Sequence, residues 1–508
     1  MNIANGLIEV NKTSTVARRE MEGATIPSLR RPRNLIGGTD SEPAESLGSA
    51  VDPATGAVLG EVPESSPADV ERALAAAFSA RGSGDGAFGR RPLAERIELL
   101  HRFADALDSR ADAFAYWHAR EIGVPLATAR MFAAGLGDVV RGIAGAAPGV
   151  LAPRPLAAGA RRVEIHRVPW GPAALYTAWN APAFLAAGKL TYALAAGCPA
   201  ILKPSEHAGA TTGLVVDALL DAGMRPDAVQ VVCGGAEVGA ALAGDSRVRM
   251  ISYTGGTSGG RAVAAAATAR MAALHLELSA SNPVIVLRDA DVQTAGAELA
   301  RGATVLNGQW CEAPRRVYVD ERLHDELTSS ILDELRRRKL GDPMQEDTEV
   351  GPLVNARQRA AVAEAVVQLA GRGDVERSHA QLPDGGCWFS PTVVSGLPLD
   401  AVTREIFGPV LALSPYRDVE DAVHAANALG DGLAGYVFGG ERDAAFAVGL
   451  RLHAGEIRLG GARVLDLAPG SAQSFWGTSG VGGHGVEDVL RAHTGTRIVG
   501  EEDYSLAL

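Results

Sequence analysis

AALYTAW (173–179), AILK (200–203), VQVV (229–232), RMISY (249–253), LHLE (274–277) and VIVL (284–287) are short apolar runs, most of them separated by segments of helical periodicity. Runs of this length suit buried strands, and strands alternating with helices along one stretch of chain make a mostly parallel, doubly wound sheet. From about residue 285 to 475 the alternation restarts after a new set of loops, which predicts a second α/β domain.

Working outward, SSPADVERALAAAF opens a helix. Ser66 is placed to cap it, Pro67 fits its first turn, Asp69 complements its dipole, and Val70, Leu74, Ala77 and Phe78 fall on one face. A further helical stretch is expected from Leu93 to about Arg120. RRVEIHRVPWG and HTGTRIVG read as strands with polar alternate positions that pair as an oligomer-forming extension. The expected organisation is a flexible arm over 1–35, a cofactor-binding domain from 36–150 and 169–280, a catalytic domain over 281–477, and the extension from 151–168 and 491–508.

The 508 residues exceed one ordinary core, and the usual ~150 residues per domain argues for two or three. With 47% hydrophobic and 21% charged residues the chain is globular in composition. A net charge of −12, with Lys and Arg dispersed, argues against a nucleic-acid partner. The longest apolar stretch, 173–202, is interrupted by Asn180, Pro182 and Lys189, so it is read as core and not as a membrane span. The first residues lack the apolar region of a secretory signal, and their acidic residues argue against a transit peptide, which points to the cytoplasm. The four cysteines show no CxxC or Cys/His cluster, so neither a disulfide framework nor a metal is expected; if one matters, it matters as a thiol.

Four features can carry chemistry. MISYTGGTSGGRAVAAAATA (250–269) sets a glycine-rich turn between a strand and an Ala-rich helix. It either holds a pyrophosphate on backbone N–H groups or merely turns tightly. In KPSE, Lys203 and Glu206 follow a strand at the ligand edge of an open sheet, where a Lys and an acid can hold ribose hydroxyls or be solvated. Cys311 lies in the polar loop LNGQWCEAPRR, either as a small inert hydrophobe or as an accessible nucleophile. Glu277 ends an apolar run, where it either caps a turn or, raised in pKa by burial, serves as a base.

Together these pieces resemble the aldehyde dehydrogenase superfamily over roughly residues 36–500. The matching stretches are DPATG (52–56), VPWGPAALYTAWNAPAFLAAGKLTYALAAGCPAILKPSE (168–206), YTGGTSGG (253–260), LELSASNP (276–283), NGQWC (307–311), SPTVV (390–394) and EIFGP (405–409). No single piece is specific; their combination and order are.

The resemblance implies two Rossmann-like domains with a small β extension, and oxidation of an aldehyde to an acid by a dimeric or tetrameric enzyme. It assigns Cys311 as nucleophile, Glu277 as water-activating base, Asn180 as oxyanion-hole amide and Lys189 as a neighbour of thiol and cofactor. For the cofactor it implies Thr177, Ala178, Trp179, Lys203, Ser205, Glu206, Gly239, Thr254, Gly255, Gly256, Glu277, Leu278, Glu405 and Phe407. A carboxylate at Glu206 suits a free ribose 2′-hydroxyl, hence NAD over NADP. Lys189 and a bound cationic nicotinamide are expected to lower the Cys311 pKa.

The sequence departs from the family pattern around the same residues. Gly256 stands for a serine, Ser279 and Ala280 for two glycines, and Glu312 follows the nucleophile. Ser479 or Gly480 stands near the expected Lys, and His484 near the expected Glu. Leu185, Trp310, Glu312, Trp476 and His484 are the candidate substrate-pocket residues, and the aromatic ones favour a hydrophobic or aromatic aldehyde. Two alternatives stand beside this reading: a CoA-acylating aldehyde dehydrogenase, and a catalytically silent NAD-binding relative.

Overall fold

The computed structural model describes residues 33–502 apart from 42, 44, 83–86 and 465. Most of the N-terminal arm, and the end of the chain from residue 503, lie outside the described residues.

The first sheet has a parallel core in the spatial order Val229–Val231, Ala200–Lys203, Ala173–Tyr176, Met250–Thr254, Ala273–Glu277. Its strands are fully or largely buried, which is why they read as continuous apolar runs and not as alternation. Chain order reverses between Ala173–Tyr176 and Met250–Thr254, the switch point where connections leave to opposite faces and a crevice opens at the carboxyl ends. Antiparallel strands close both edges: Asn34–Ile36 pairs through Leu35 with Val231, and Gly480–Val481 pairs with Leu276 and Glu277. That last strand returns from far along the chain.

The second sheet runs Asp374–Arg377, Thr392–Ser395, Val410–Tyr416, Arg316–Asp320, Pro283–Val286, Ala434–Phe438, Glu456–Leu459, parallel except for its first strand. The strand Pro283–Val286 begins six residues after Glu277 closes the first sheet, so the carboxyl edge of one sheet meets the amino edge of the other. Loops entering the second sheet therefore face loops leaving the first.

Pro67–Ala80 is a helix with a reciprocal cap: Asp69 N–H donates to Ser66 Oγ at 3.1 Å and Ser66 N–H to Asp69 Oδ2 at 3.0 Å. Val70, Leu74 and Ala77 are buried as expected, whereas Phe78 lies on the rim under the Arg81 guanidinium. The long helix expected from Leu93 is two, Leu93–Asp108 and Ala111–Ile122. The polar Asp108-Ser109-Arg110 forms the break, where Arg110 leaves helical geometry (φ −115°). Val163–Pro169 and Thr494–Gly500 pair antiparallel along their whole lengths, beside Arg154–Pro155. Among the described residues no helix is long and apolar enough to cross a membrane.

Candidate active site

Thr177, Ala178 and Trp179 follow Ala173–Tyr176, and Thr254, Gly255 and Gly256 end Met250–Thr254 and cap the helix Thr257–Thr268. These two segments flank the switch point. Gly259 is forced by packing, since a Cβ there would lie 2.3 Å from Tyr253 Oη. At Gly256, by contrast, nothing lies within 4 Å, so the missing side chain leaves room and the backbone can be approached closely. Beside them Lys203 is buried with its ammonium on the Pro204 carbonyl (3.2 Å), Glu206 is exposed, and Tyr176 Oη anchors the next helix through Gly239 O at 2.8 Å. The Thr177 hydroxyl is buried and has no partner among the described residues. An orphaned hydroxyl, a helix N-terminus and an exposed carboxylate along one crevice fit the polar groups of a dinucleotide.

Cys311 enters from the amino edge of the second sheet on a tightly held loop. Leu306, Asn307 and Gly308 are successive residues with positive φ (49°, 58° and 76°). Non-glycine residues tolerate that conformation only when the surroundings over-determine it. Asn307 supplies the restraint: its amide donates to Gly123 O (2.8 Å) and Pro352 O (2.9 Å) and accepts from Gly351 N–H (2.7 Å). Gly308 is obligatory, because a Cβ would lie 2.2 Å from the Pro409 nitrogen. On the far side, Asn282 donates to the carbonyls of Cys311 (2.8 Å) and Ala313 (2.9 Å) and accepts from Ala434 N–H (3.1 Å). Arg315, buried, ties Gly408 O (2.6 Å) to Trp310 O (3.2 Å). Asn180, also buried, donates one amide hydrogen to Gln309 O at 3.0 Å, and its own carbonyl faces His118 Nε2 at 3.0 Å.

The structure brings Cys311 and Glu277 close enough for each side chain to act on the charge of the other. Burial, then the negative charges of Glu277, Glu312 and Glu405, push the thiol well above its ordinary range. The expected lowering by Lys189 is absent, for a geometric reason: its ammonium donates to Ser252 Oγ at 2.8 Å. Burial lowers Lys189 itself to about 8, against the pull of Glu277.

Glu277 also corrects an expectation. Burial does act to raise its pKa, but His484 Nε2 lies 3.7 Å from Oε1, and with Lys189 and the thiol it outweighs burial, so the carboxyl falls to about 2. Thr254 Oγ1 holds Oε2 at 3.2 Å. His484 responds in kind: its side chain is 45% exposed, and although desolvation by its neighbours would lower it, Glu277 and Glu312 raise it to about 9. The resting pair is imidazolium and carboxylate.

Glu405 lies over the same loop. Burial raises it to about 7 against Arg315, the Ser279 side chain and Ala280 N–H, the last at 3.4 Å. Phe407 packs edge-on against Trp179, ring centroids 5.5 Å apart. Ser479 donates to Ser279 O (3.0 Å) and accepts from Gly432 N–H (2.8 Å).

Of the pocket candidates, Trp310 is buried against the first-domain core beside the thiol, and Leu185 is half-buried on the helix Pro182–Ala196. Trp476 is misplaced: it is 45% exposed and stacks on His453. Its neighbour Phe475, 6% exposed, is the aromatic that packs with Ala280 and Leu433 against Cys311. Successive residues of an extended segment face opposite ways, and the sequence shows no cue to which faces inward. Glu312 is held by Gln473 Nε2 at 2.5 Å. Asn282, Asn307, Arg315, Gln473 and Phe475 were not assigned roles from the sequence; the one available signal was that Asn282 and Asn307 sit inside LELSASNP and NGQWC.

The aldehyde dehydrogenase family model matches residues 39–499. The chain is 32% identical over 468 residues to a 3,6-anhydro-alpha-L-galactose dehydrogenase of Streptomyces coelicolor, covering 87% of this chain and 92% of that protein. An NAD-dependent aldehyde dehydrogenase from Sinorhizobium meliloti superposes with a TM-score of 0.87 at 28% identity, covering 94% of this chain and 96% of the other. A 3,6-anhydro-L-galactose dehydrogenase in complex with NADP gives 0.86 at 26% identity, covering 92% and 99%. With the doubly wound sheets, the switch-point crevice and the thiol at their junction, these matches establish that the chain belongs to the aldehyde dehydrogenase family of oxidoreductases.

Proposed function

We propose that this chain oxidises an apolar or aromatic aldehyde to its carboxylic acid with NAD as acceptor, through a thioester on Cys311. The observation that carries the reading is the Cys311 thiol set beside the Glu277 carboxylate where the two sheet edges meet. A half-buried thiol with a raised pKa is a poor nucleophile until a base takes its proton, and Glu277 is placed beside it to do so as sulfur attacks the carbonyl carbon. The Asn180 amide, with one hydrogen on Gln309 O, has its second free for the developing alkoxide, and the Cys311 backbone N–H is the other donor. Donors of this kind are each worth about 3–4 kcal/mol in related acyl chemistry.

A dinucleotide in the crevice would be held by Thr177, the start of the helix Thr257–Thr268, Lys203, Glu206 and Glu405, and supplies a hydride acceptor. Glu206 favours NAD by opposing a 2′-phosphate. Glu277 then releases the thiol proton to solvent, and water attacks the Cys311 thioester, a water proton going to Glu277 and the C–S bond electrons leaving on sulfur. Phe475, Leu433 and Ala280 form the apolar wall beside the thiol, which supports an apolar substrate.

The test is NADH absorbance with NAD and a panel of aldehydes, beside Cys311→Ala and with or without CoA. Signal lost in Cys311→Ala and unaffected by CoA is expected, with benzaldehyde-like and long-chain aldehydes ahead of acetaldehyde in kcat/KM. Stimulation by CoA would make the enzyme acylating. NAD binding with no NADH from any aldehyde would make it a silent relative.

A further inference from the structure

His484 lies on a hairpin that returns from near the chain's end to the edge of the first sheet. Gly480–Val481 pairs with Glu277 and Leu276, and Gln473 pairs with His484. The approach is close: a Cβ on Gly480 would lie 1.8 Å from Leu276 O. The imidazole, 45% exposed, lies between Glu277 Oε1 at 3.7 Å and the Phe475 ring, edge-on at 4.9 Å between centroids. The same hairpin supplies Gln473 to Glu312, so one element surrounds the base and the residue after the nucleophile.

We propose that His484 is a positioning residue for thioester hydrolysis: as imidazolium it holds Oε1 and keeps Glu277 a weak base, and losing its proton frees Glu277 to draw a proton from water. The inference rests on Glu277 being the hydrolytic base. In the step, water oxygen bonds the thioester carbon, a water proton passes to Glu277, and the C–S bond breaks with its electrons on sulfur. A base with a strongly depressed pKa has little driving force for that transfer. The groups whose charge acts on His484 are Glu277 and His275 on the strand Ala273–Glu277, Glu312 on the nucleophile loop and Lys189 on the helix Pro182–Ala196. The two carboxylates dominate, raising it to about 9. Hydrolysis therefore accelerates in the alkaline range as the imidazolium deprotonates.

p-Nitrophenyl acetate separates the steps in the full-length enzyme: a burst of nitrophenol reports acylation of Cys311, and the steady rate reports hydrolysis. The wild-type steady rate should rise to a plateau through an inflection near pH 9. His484→Gln should still show a burst, lose the inflection, and hydrolyse about tenfold faster at pH 7 as Glu277 regains basicity. A wild-type rate flat from pH 7 to 10 overturns the proposal whether or not the variant folds. So does a His484→Gln enzyme that keeps the inflection, or one that hydrolyses more slowly at pH 7. Absence of a Cys311-dependent burst in the wild type would instead overturn the nucleophile assignment, and this inference with it.

Discussion

Replacing Asn282 by alanine should damage both the stability of the chain and its chemistry, although Asn282 is not expected to touch the substrate. Its amide makes three hydrogen bonds, to the carbonyls of Cys311 and Ala313 and from Ala434 N–H, at 2.8, 2.9 and 3.1 Å, the first partly buried and the other two buried. Leaving a buried polar group unpaired costs about 1–3 kcal/mol. Three such groups, partly relaxed, give an expected loss of about 3–5 kcal/mol. One of the freed carbonyls is the nucleophile's own, so the sulfur moves with it, and a displacement of about 1 Å lowers kcat by roughly 10²-fold. Asn282→Asp should be worse: it keeps the acceptor for Ala434 N–H but turns a carboxylate toward two carbonyls. Urea unfolding with NADH formation reads both effects. An alanine variant within about 1 kcal/mol and threefold in kcat of the wild type, or an Asp variant more stable than the Ala one, would refute the reasoning.

Glu277→Gln removes a negative charge that raises the Cys311 thiol, so the midpoint for iodoacetamide alkylation should move to lower pH while aldehyde turnover falls about 10²–10⁴-fold; an unmoved midpoint would separate the two side chains. Phe475→Ala should raise KM for aromatic aldehydes, whereas Trp476→Ala should leave it within about twofold, and the reverse order would restore Trp476 to the pocket. Ser66→Ala breaks the reciprocal cap of Pro67–Ala80 and should lower stability by about 1 kcal/mol in urea without changing kcat. Glu206→Ala should weaken NAD binding and narrow the preference over NADP, measured as the ratio of kcat/KM; an unchanged ratio would remove Glu206 from cofactor selection.

Much of this protein was legible in one dimension because the deciding patterns are local. A strand buried on both faces must be a short apolar run, a helix must begin at a cap such as Ser66, and a glycine must precede a helix where backbone is approached closely. Those constraints act within a few residues. From them follow the two doubly wound sheets, while Cys311 and Glu277 became the pair to watch only through the resemblance of the assembled motifs to a known family. The helix expected from Leu93 shows the limit even of local reading, since only its break at Ser109 and Arg110 was missed.

What required the tertiary structure was every property that depends on distance between remote residues. The expected rise in the Glu277 pKa reverses because a hairpin more than two hundred positions along the chain brings His484 to 3.7 Å. The thiol stays high because burial and the charges of Glu277, Glu312 and Glu405 act on it while Lys189 turns to Ser252, and the inward aromatic is Phe475 because the pairing of its hairpin sets which alternate residue faces the core. Asn282 and Arg315 hold the nucleophile loop through carbonyls that no sequence pattern marks. Side-chain identity settled which chemistry the chain can attempt; Coulomb energies and hydrogen bonds fall off within a few ångströms, so only the folded arrangement decided which groups hold which protons.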